Sequence, residues 1–153
     1  MQSAANLGAV GAKTYKELVI WQRCDELRGA VIAATATGRV ALDRSFCNQI
    51  RDAAEDASSD IAEGFARFYP REFARFLDFA LGSLTEVRTR AEHGHERGYF
   101  DDDVVADLVR RWAVTDRAVR NFRRYLWSVK AHDVPNKLSR REPRQPRPRR
   151  NPK

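Results

Sequence analysis

Apolar residues recur every three or four positions along most of the chain, and this spacing restricts the fold more than any other feature of the sequence. Such spacing places the apolar side chains on one face of an α-helix. No segment shows the alternation of apolar and polar residues that is typical of a β-strand. The chain is therefore predicted to be all-α. The longest unbroken stripe consists of Val105, Leu108, Trp112, Thr115, Val119, Phe122 and Leu126.

Helix stops and caps divide the chain into four predicted helices. The first covers Tyr15 to about Thr37 and is followed by Gly38, a typical stop. The second begins after the cap candidate Asp43, and the third begins at Pro70, because proline is favoured in the first turn. Gly98 ends the third helix, and a run of aspartates then caps the fourth. Four amphipathic helices with short connections predict an up-down-up-down four-helix bundle.

The net charge of +7 is located in the C-terminal segment 136–153. This segment holds eight basic residues and one acid, whereas residues 1–135 are formally neutral. Five of the six prolines lie in it or directly before it. Because such a composition cannot build a helix or a core, residues 132–153 are predicted to be a disordered basic tail. Residues 1–13 are predicted to be a flexible N-terminus, which leaves 14–131 for the bundle.

Several motifs occur in an order that resembles one protein family. They are WQRCDEL at 21–27, QIRDAAEDASSDIAEGFAR at 49–67, EFARFLDFALGSLTE at 72–86 and GYF at 98–100. Together they resemble the bacterial four-helix bundle proteins encoded in 23S rRNA intervening sequences, over roughly residues 15–127. The positions that match the family pattern are Trp21, Gln22, Gln49, Ile50, Ile61, Ala62, Glu63, Gly64, Arg67, Phe73, Leu77, Gly82, Ser83, Leu84 and Glu86.

The resemblance implies a four-helix bundle that assembles as a homopentamer. It also implies a relationship in fold to the accessory protein of diversity-generating retroelements, which works with a reverse transcriptase and nucleic acid. Two positions depart from the family pattern: Asp60 stands where asparagine is usual, and Asp52 stands where arginine is usual. An ionised Asp60 can accept hydrogen bonds but cannot donate them as an amide does.

Polar residues near the connection between the second and third helices are predicted to form a network, a subunit interface or a ligand site. Glu63 and Arg67 are spaced i,i+4 and can form an ion pair on the helix surface. Gly64 interrupts the helical pattern, and a glycine there indicates either a helix end or a close approach of another backbone. The complete predicted cluster is Asp60, Glu63, Gly64, Arg67, Ser83 and Glu86.

Exposed aromatic residues at the same corner, Phe65, Phe68 and Tyr69, would give a monomer a sizeable apolar patch. The bundle is therefore predicted to be an obligate homo-oligomer.

Arginines of the fourth helix lie opposite its apolar stripe and lead into the basic tail. A solvated charged face is the ordinary interpretation. The continuity with the tail favours binding to an RNA or DNA backbone with little sequence specificity, because the arginine fork suits phosphate. The alternative is a protein-interaction scaffold without nucleic-acid binding. The candidate binding residues are Arg110, Arg117, Arg120, Arg124, Lys137, Arg140, Arg141, Arg144, Arg147, Arg149 and Arg150.

No arrangement of residues typical of catalysis is found, so the protein is predicted not to be an enzyme. Glu92 and His95 have the spacing of di-iron ligands, but the fourth helix has no histidine to complete such a site. No metal or cofactor is predicted. Cys24 and Cys47 lie in apolar helical patterns and are predicted to be buried thiols. The absence of a long apolar run or leader pattern predicts a cytoplasmic protein without a membrane partner.

Overall fold

The computed structural model describes residues 12–67 and 69–129. Within these ranges no residue is in a strand, so the predicted all-α class is confirmed. The predictions made for residues 1–11, for Phe68 and for the tail lie outside the described residues. The elements are two short 3-10 turns, Tyr15–Glu17 and Arg39–Leu42, and four helices, α1 (Val19–Ala34), α2 (Arg44–Ala66), α3 (Pro70–Glu96) and α4 (Asp102–Ser128).

The first helix is shorter than its sequence pattern predicted. A separate 3-10 turn precedes it, and Leu18 between the two has an extended backbone with φ −74° and ψ 127°. This bend places the Leu18 side chain in the core, where it is only 1% exposed. At the other end α1 stops at Ala34, and the Thr35 hydroxyl donates a 2.8 Å hydrogen bond to the Val31 carbonyl. The prediction of one helix from Tyr15 to about Thr37 is therefore wrong at both ends.

The predicted starts of α2 and α4 are confirmed by their caps, and α3 begins at Pro70 as predicted. The Asp43 carboxylate accepts a 3.0 Å hydrogen bond from the Phe46 amide at the start of α2. The Asp101 carboxylate accepts a 2.8 Å bond from the Val104 amide at the start of α4. Each bond satisfies an amide that the first helical turn leaves without a partner.

Two glycines fix the packing of α2 against α3. A Cβ atom on Gly64 would clash with the Phe73 ring and lie 2.9 Å from the Phe76 Cβ. At the opposite end, a Cβ atom on Gly94 would lie 2.9 Å from the tip of the Phe46 ring. Residues early in one helix therefore meet residues late in the other, so α2 and α3 are antiparallel. Gly64 lies inside α2, which identifies it as a point of close approach rather than a helix end.

The remaining contacts complete an up-down-up-down bundle. Arg123 late in α4 pairs with Asp78 early in α3, whereas the Arg88 guanidinium lies over the Trp112 ring nearer the opposite end. These pairs make α3 and α4 antiparallel. Helix α1 closes the bundle because it packs against both α2 and α4.

The core lies along the bundle axis and takes side chains from all four helices. Phe46, Phe73 and Phe122 are its largest fully buried members. Of the predicted α4 stripe, five residues are buried, whereas Val105 and Trp112 are half-buried. Among the described residues, no helix combines the length and apolar character needed to cross a membrane.

Candidate nucleic-acid interface

Carboxylates neutralise two of the four α4 arginines that were predicted to bind nucleic acid. Arg110 is hydrogen-bonded to Asp107, three residues earlier. The Arg120 Nε lies 2.7 Å from an Asp116 carboxylate oxygen, and the Asp116 side chain is only 13% exposed. These arginines remain on the surface, but part of their positive charge is balanced within the helix.

Seven arginines have no carboxylate within 4 Å among the residues that the structure describes, and four of these seven belong to α3 and α4. Arg117 and Arg124 are the other two predicted binding residues of α4, and Arg124 donates a hydrogen bond to the Asn121 side chain. Arg71 and Arg75 belong to the first turns of α3 and were not predicted from the sequence. Their positive charge is therefore available to a phosphate.

Exposed aromatic rings lie beside these arginines. The Arg71 guanidinium is 4.2 Å from the centre of the Trp127 ring, and the Arg123 guanidinium is 6.0 Å from it. The Arg75 guanidinium is 5.9 Å from the Phe79 ring centre. Trp127 is 48% exposed and Phe79 is 49% exposed. Each contact has cation–π geometry, which holds the ring in place without covering it completely.

A groove between α3 and α4 joins these features. It is lined by Asp78 and Leu81 of α3 and by the last turns of α4, and its volume is about 410 Å³. Arg71, Arg75 and Phe79 follow one another across the outer face of α3, from the groove at Arg71 towards α2, where the Phe79 ring packs edge-on against Phe76 with ring centres 5.7 Å apart. Trp127 is the last residue but one of α4, so this surface lies where the bundle leads into the basic tail. We refer to it as the arginine–aromatic surface, which comprises Arg71, Arg75, Phe79, Arg120, Arg123, Arg124 and Trp127.

The structure brings together only part of the predicted polar cluster on α2 and α3. Arg67 forms the expected ion pair with Glu63. Asp60 is half-buried one turn earlier, and its pKa is raised to about 6 by burial and by the charges of Asp56 and Glu63. Arg67 also lies 4.8 Å from the centre of the Phe76 ring. This part of the cluster therefore joins an ion pair to an aromatic contact at the corner of the bundle.

Ser83 and Glu86 lie farther along α3. Glu86 pairs with Arg90 on its own helix, at 3.4 Å. Because Gly64 meets Phe76, Ser83 is seven residues farther along α3, or about 10 Å at 1.5 Å per residue. None of the described hydrogen bonds or ion pairs links either residue to Asp60, Glu63 or Arg67.

The aromatic corner that motivated the oligomer prediction is partly covered by the bundle itself. Phe65 is half-buried and packs edge-on against Phe73, with ring centres 6.5 Å apart. Tyr69 is 56% exposed. Within the described part of this corner, Tyr69 is thus the aromatic side chain that remains largely accessible.

Arg51 is a structural residue that the sequence patterns missed. Its Nε donates a 2.7 Å hydrogen bond to the Thr35 hydroxyl, and its Nη2 donates a 2.9 Å bond to the Thr35 carbonyl. These bonds cap the end of α1 from the neighbouring helix. Asp52, which departs from the family pattern, is exposed. Arg51, which reaches α1, therefore stands one position before Asp52, where the family pattern has arginine.

The residues with metal-ligand spacing have other partners. Glu92 pairs with Arg88 at 2.9 Å. The His95 Nδ1 lies 3.0 Å from the Phe100 carbonyl oxygen, and its Nε2 lies 3.4 Å from an Asp102 carboxylate oxygen. Within residues 12–67 and 69–129, no group of three or more His, Cys, Asp or Glu side chains is placed to hold a metal ion.

Both cysteines are free thiols in the core, as predicted. Burial and the nearby charge of Asp25 raise the pKa of Cys24 to about 12. The Cys47 thiol lies 3.2 Å from the Val40 carbonyl oxygen, to which it can donate. A buried thiol with a raised pKa is a poor nucleophile, so Cys24 has a packing role.

Residues 16–119, well over half of the chain, match the family described as 23S rRNA-intervening sequence protein. The chain belongs to this family. No curated protein matches it. The family match covers α1, α2 and α3 but ends inside α4, before Arg120, Arg124 and Trp127. The α4 part of the arginine–aromatic surface therefore lies beyond the residues that carry the family likeness.

Proposed function

We propose that this member of the 23S rRNA-intervening sequence family is a non-enzymatic oligomer that binds an RNA or DNA backbone with little sequence specificity. The binding elements are the arginines of α4 and the basic tail. The observation that carries the proposal is the set of arginines without carboxylate partners, which includes Arg71, Arg75 and Arg124 near the start of the tail. Such a concentration of positive charge attracts a polyanion and raises its association rate.

The two ends of the bundle differ in charge, which supports a directional binding surface. Three exposed aspartates, 101–103, lie at the end that holds the connection between α3 and α4. At the opposite end Arg71 and Arg75 precede the arginines of the last α4 turns, and the +7 segment follows. A phosphate chain is therefore attracted to the end that leads into the tail, whereas at the other end Arg39, Arg44 and Arg97 offset the aspartates.

Self-association would increase the effect of each tail. Tyr69 exposes aromatic surface that a second copy can cover, and the family resemblance implies a homopentamer. Several tails on one ring would engage one nucleic acid together, so the apparent affinity would exceed that of a single tail. In this arrangement the protein could serve as an accessory to an RNA-processing or reverse-transcribing enzyme.

Removal of the tail tests this function directly. Truncation after Pro135 should leave helical content and melting temperature nearly unchanged, because the removed segment lacks the apolar residues of a core. Nucleic-acid binding should weaken strongly. If about four tail residues contact phosphates of duplex DNA, the slope of log K against log salt becomes shallower by about 3 to 4. Fluorescence anisotropy over a salt series measures both quantities.

The helical arginines are tested separately in the full chain. Arg117→Ala and Arg124→Ala should each weaken binding, whereas Arg44→Ala removes an equal charge from the opposite end of the bundle and should have a smaller effect. Unchanged affinity and salt slope after truncation would assign binding to the α4 arginines alone. If neither the full chain nor the truncated chain binds nucleic acid at low salt, the protein-interaction scaffold is the correct function.

A further inference from the structure

The arginine–aromatic surface combines two kinds of group that recognise different parts of a nucleic acid. Arg124 lines the groove beside Trp127, has no carboxylate partner and can contact a phosphate, whereas Arg120 and Arg123 of the same groove are paired with Asp116 and Asp78. Trp127 and Phe79 expose rings on which a base can stack. Proteins that bind single strands without sequence preference use this combination, since every base has an aromatic face.

The Trp127 ring is held by charge while nearly half of the side chain remains accessible. Arg71 of α3 lies 4.2 Å from the ring centre, so the indole of α4 is fixed by a contact from a neighbouring helix. A ring held in this way loses little additional freedom when a base stacks on it. The contact also brings a guanidinium close to the phosphate of the stacked nucleotide.

We infer that the arginine–aromatic surface selects single-stranded over double-stranded nucleic acid by stacking unpaired bases on Trp127 and Phe79. This inference rests on the proposed function and specifies its substrate class. In a duplex the bases are stacked on one another and present only their edges in the grooves, so a surface ring cannot reach their faces. The arginines contact phosphates of either form, whereas the rings add affinity only for the single strand.

The charges around the rings favour nucleic acid over a second protein chain as the occupant. The acids nearest the groove are already paired, Asp78 with Arg123 and Asp116 with Arg120. Arg71, Arg75 and Arg124 have no carboxylate partner in the described part of the chain. A two-fold copy that covered Trp127 with the same surface would bring these positive charges together, and in a ring any other face that covered Trp127 would have to supply unpaired acids to balance them.

The test compares full-length variants on one labelled 20-nucleotide RNA, either single-stranded or annealed to its complement. Trp127→Leu keeps apolar bulk but removes the ring, and Trp127→Tyr keeps a ring. We expect Trp127→Leu to weaken single-strand binding by about 10-fold and duplex binding by less than about 2-fold, measured by anisotropy at one fixed salt concentration. Trp127→Tyr should restore most of the lost single-strand affinity.

A second variant, together with circular dichroism and light scattering, distinguishes loss of base stacking from loss of fold or of self-association. Phe79→Leu should also weaken single-strand binding selectively, and circular dichroism confirms the fold of each variant. Equal losses on the two RNAs, or no loss on either, would overturn the inference while leaving the proposed function in place. A reduced mass of Trp127→Leu in light scattering, with single-strand binding intact, would instead assign the rings to contacts between copies. If the wild-type protein binds neither RNA at low salt, the proposed function itself fails.

Discussion

Among the carboxyl groups of the described bundle, Asp60 is the one whose pKa is most strongly raised. It is half-buried in α2, with Asp56 one turn before it and Glu63 in the last turn after it. Burial and these two charges raise its pKa to about 6, well above the unfolded value near 3.8. The native state therefore binds more protons than the unfolded chain between these two pH values. The stabilising contribution of Asp60 is fully present below pH 3.8 and is lost as the pH rises through about 6.

Asp60→Asn should stabilise the protein at neutral pH. The amide removes the repulsion from Asp56 and Glu63, and we expect a gain of about 1 kcal/mol at pH 7.5, because solvent screens a half-exposed group. Urea unfolding of both proteins at several pH values measures the gain. It should shrink as the pH is lowered from 6 towards 4, where Asp60 is already neutral. Asp52→Asn, an exposed change on the same helix, should show a smaller gain, and a gain for Asp60→Asn that does not vary with pH would contradict the prediction.

The packing of α2 against α3 leaves no room for a side chain at Gly64. Gly64→Ala improves the helix propensity of α2 but drives a Cβ atom into the buried Phe73 ring and against Phe76. We expect overpacking to exceed the gain in propensity and to destabilise the bundle by about 1 to 3 kcal/mol. Thermal or urea unfolding gives the measurement.

Gly82 provides the matched control for this substitution. It lies inside α3, and a Cβ atom there would meet no atom within 4 Å. Gly82→Ala should therefore stabilise the protein by about 0.5 to 1 kcal/mol through helix propensity alone. If the two alanine variants changed stability by the same amount, close packing at Gly64 would not matter.

At the scale of the helices, one long side chain of α2 reaches the end of α1. Arg51 donates two hydrogen bonds to Thr35, whose side chain is buried at the end of α1. These bonds satisfy a carbonyl that the helix end leaves without an internal partner. The end of α1 is therefore stabilised by a residue sixteen positions later.

Arg51→Ala should destabilise the bundle by about 1 to 3 kcal/mol, because it leaves the Thr35 groups without their charged donor. Hydrogen exchange should show the largest loss of protection in the last turn of α1. Arg44→Ala, at the exposed first position of α2, removes the same charge and should change stability little. Equal effects of the two substitutions would show that charge, rather than the cap, is responsible.

The helices could be predicted from the sequence, but their relative rotations could not. Caps such as Asp43 and Asp101 act within their own helix, so spacing alone identified them. The contact between Arg71 and Trp127 joins side chains 56 positions apart, and it depends on how α3 and α4 are rotated against each other. Apolar periodicity gives the inner face of each helix and says nothing of which outer residues become neighbours. The exposed positions of Arg110, Arg117, Arg120 and Arg124 on α4 could therefore be predicted, whereas the contacts between arginines and aromatic rings could not.

At the scale of the whole molecule, the two thiols report on the integrity of the core. Cys24 is 1% exposed in α1, and Cys47 is 4% exposed in α2. A thiol reagent at pH 8 should react with native protein only as fast as the bundle opens, because both sulfurs are buried and burial also raises the pKa of the Cys24 thiol. Absorbance assays with and without urea give the two rates. Immediate reaction of one thiol in native protein would reveal local opening around that residue.

The glycine contacts at the two ends of the α2–α3 pair also restrict which misfolded pairings are available. Phe46 and Gly64 on α2 are 18 positions apart, or about 27 Å, and each meets its partner on α3 in the same alignment. Sliding one helix by a single turn in one of the two directions would set Asp60 against Phe76 and Arg90 against Phe46. Both ends would then bury a charged side chain against a ring at the same time. This shifted alignment is therefore less favourable than the native one, which helps the sequence to specify a single structure.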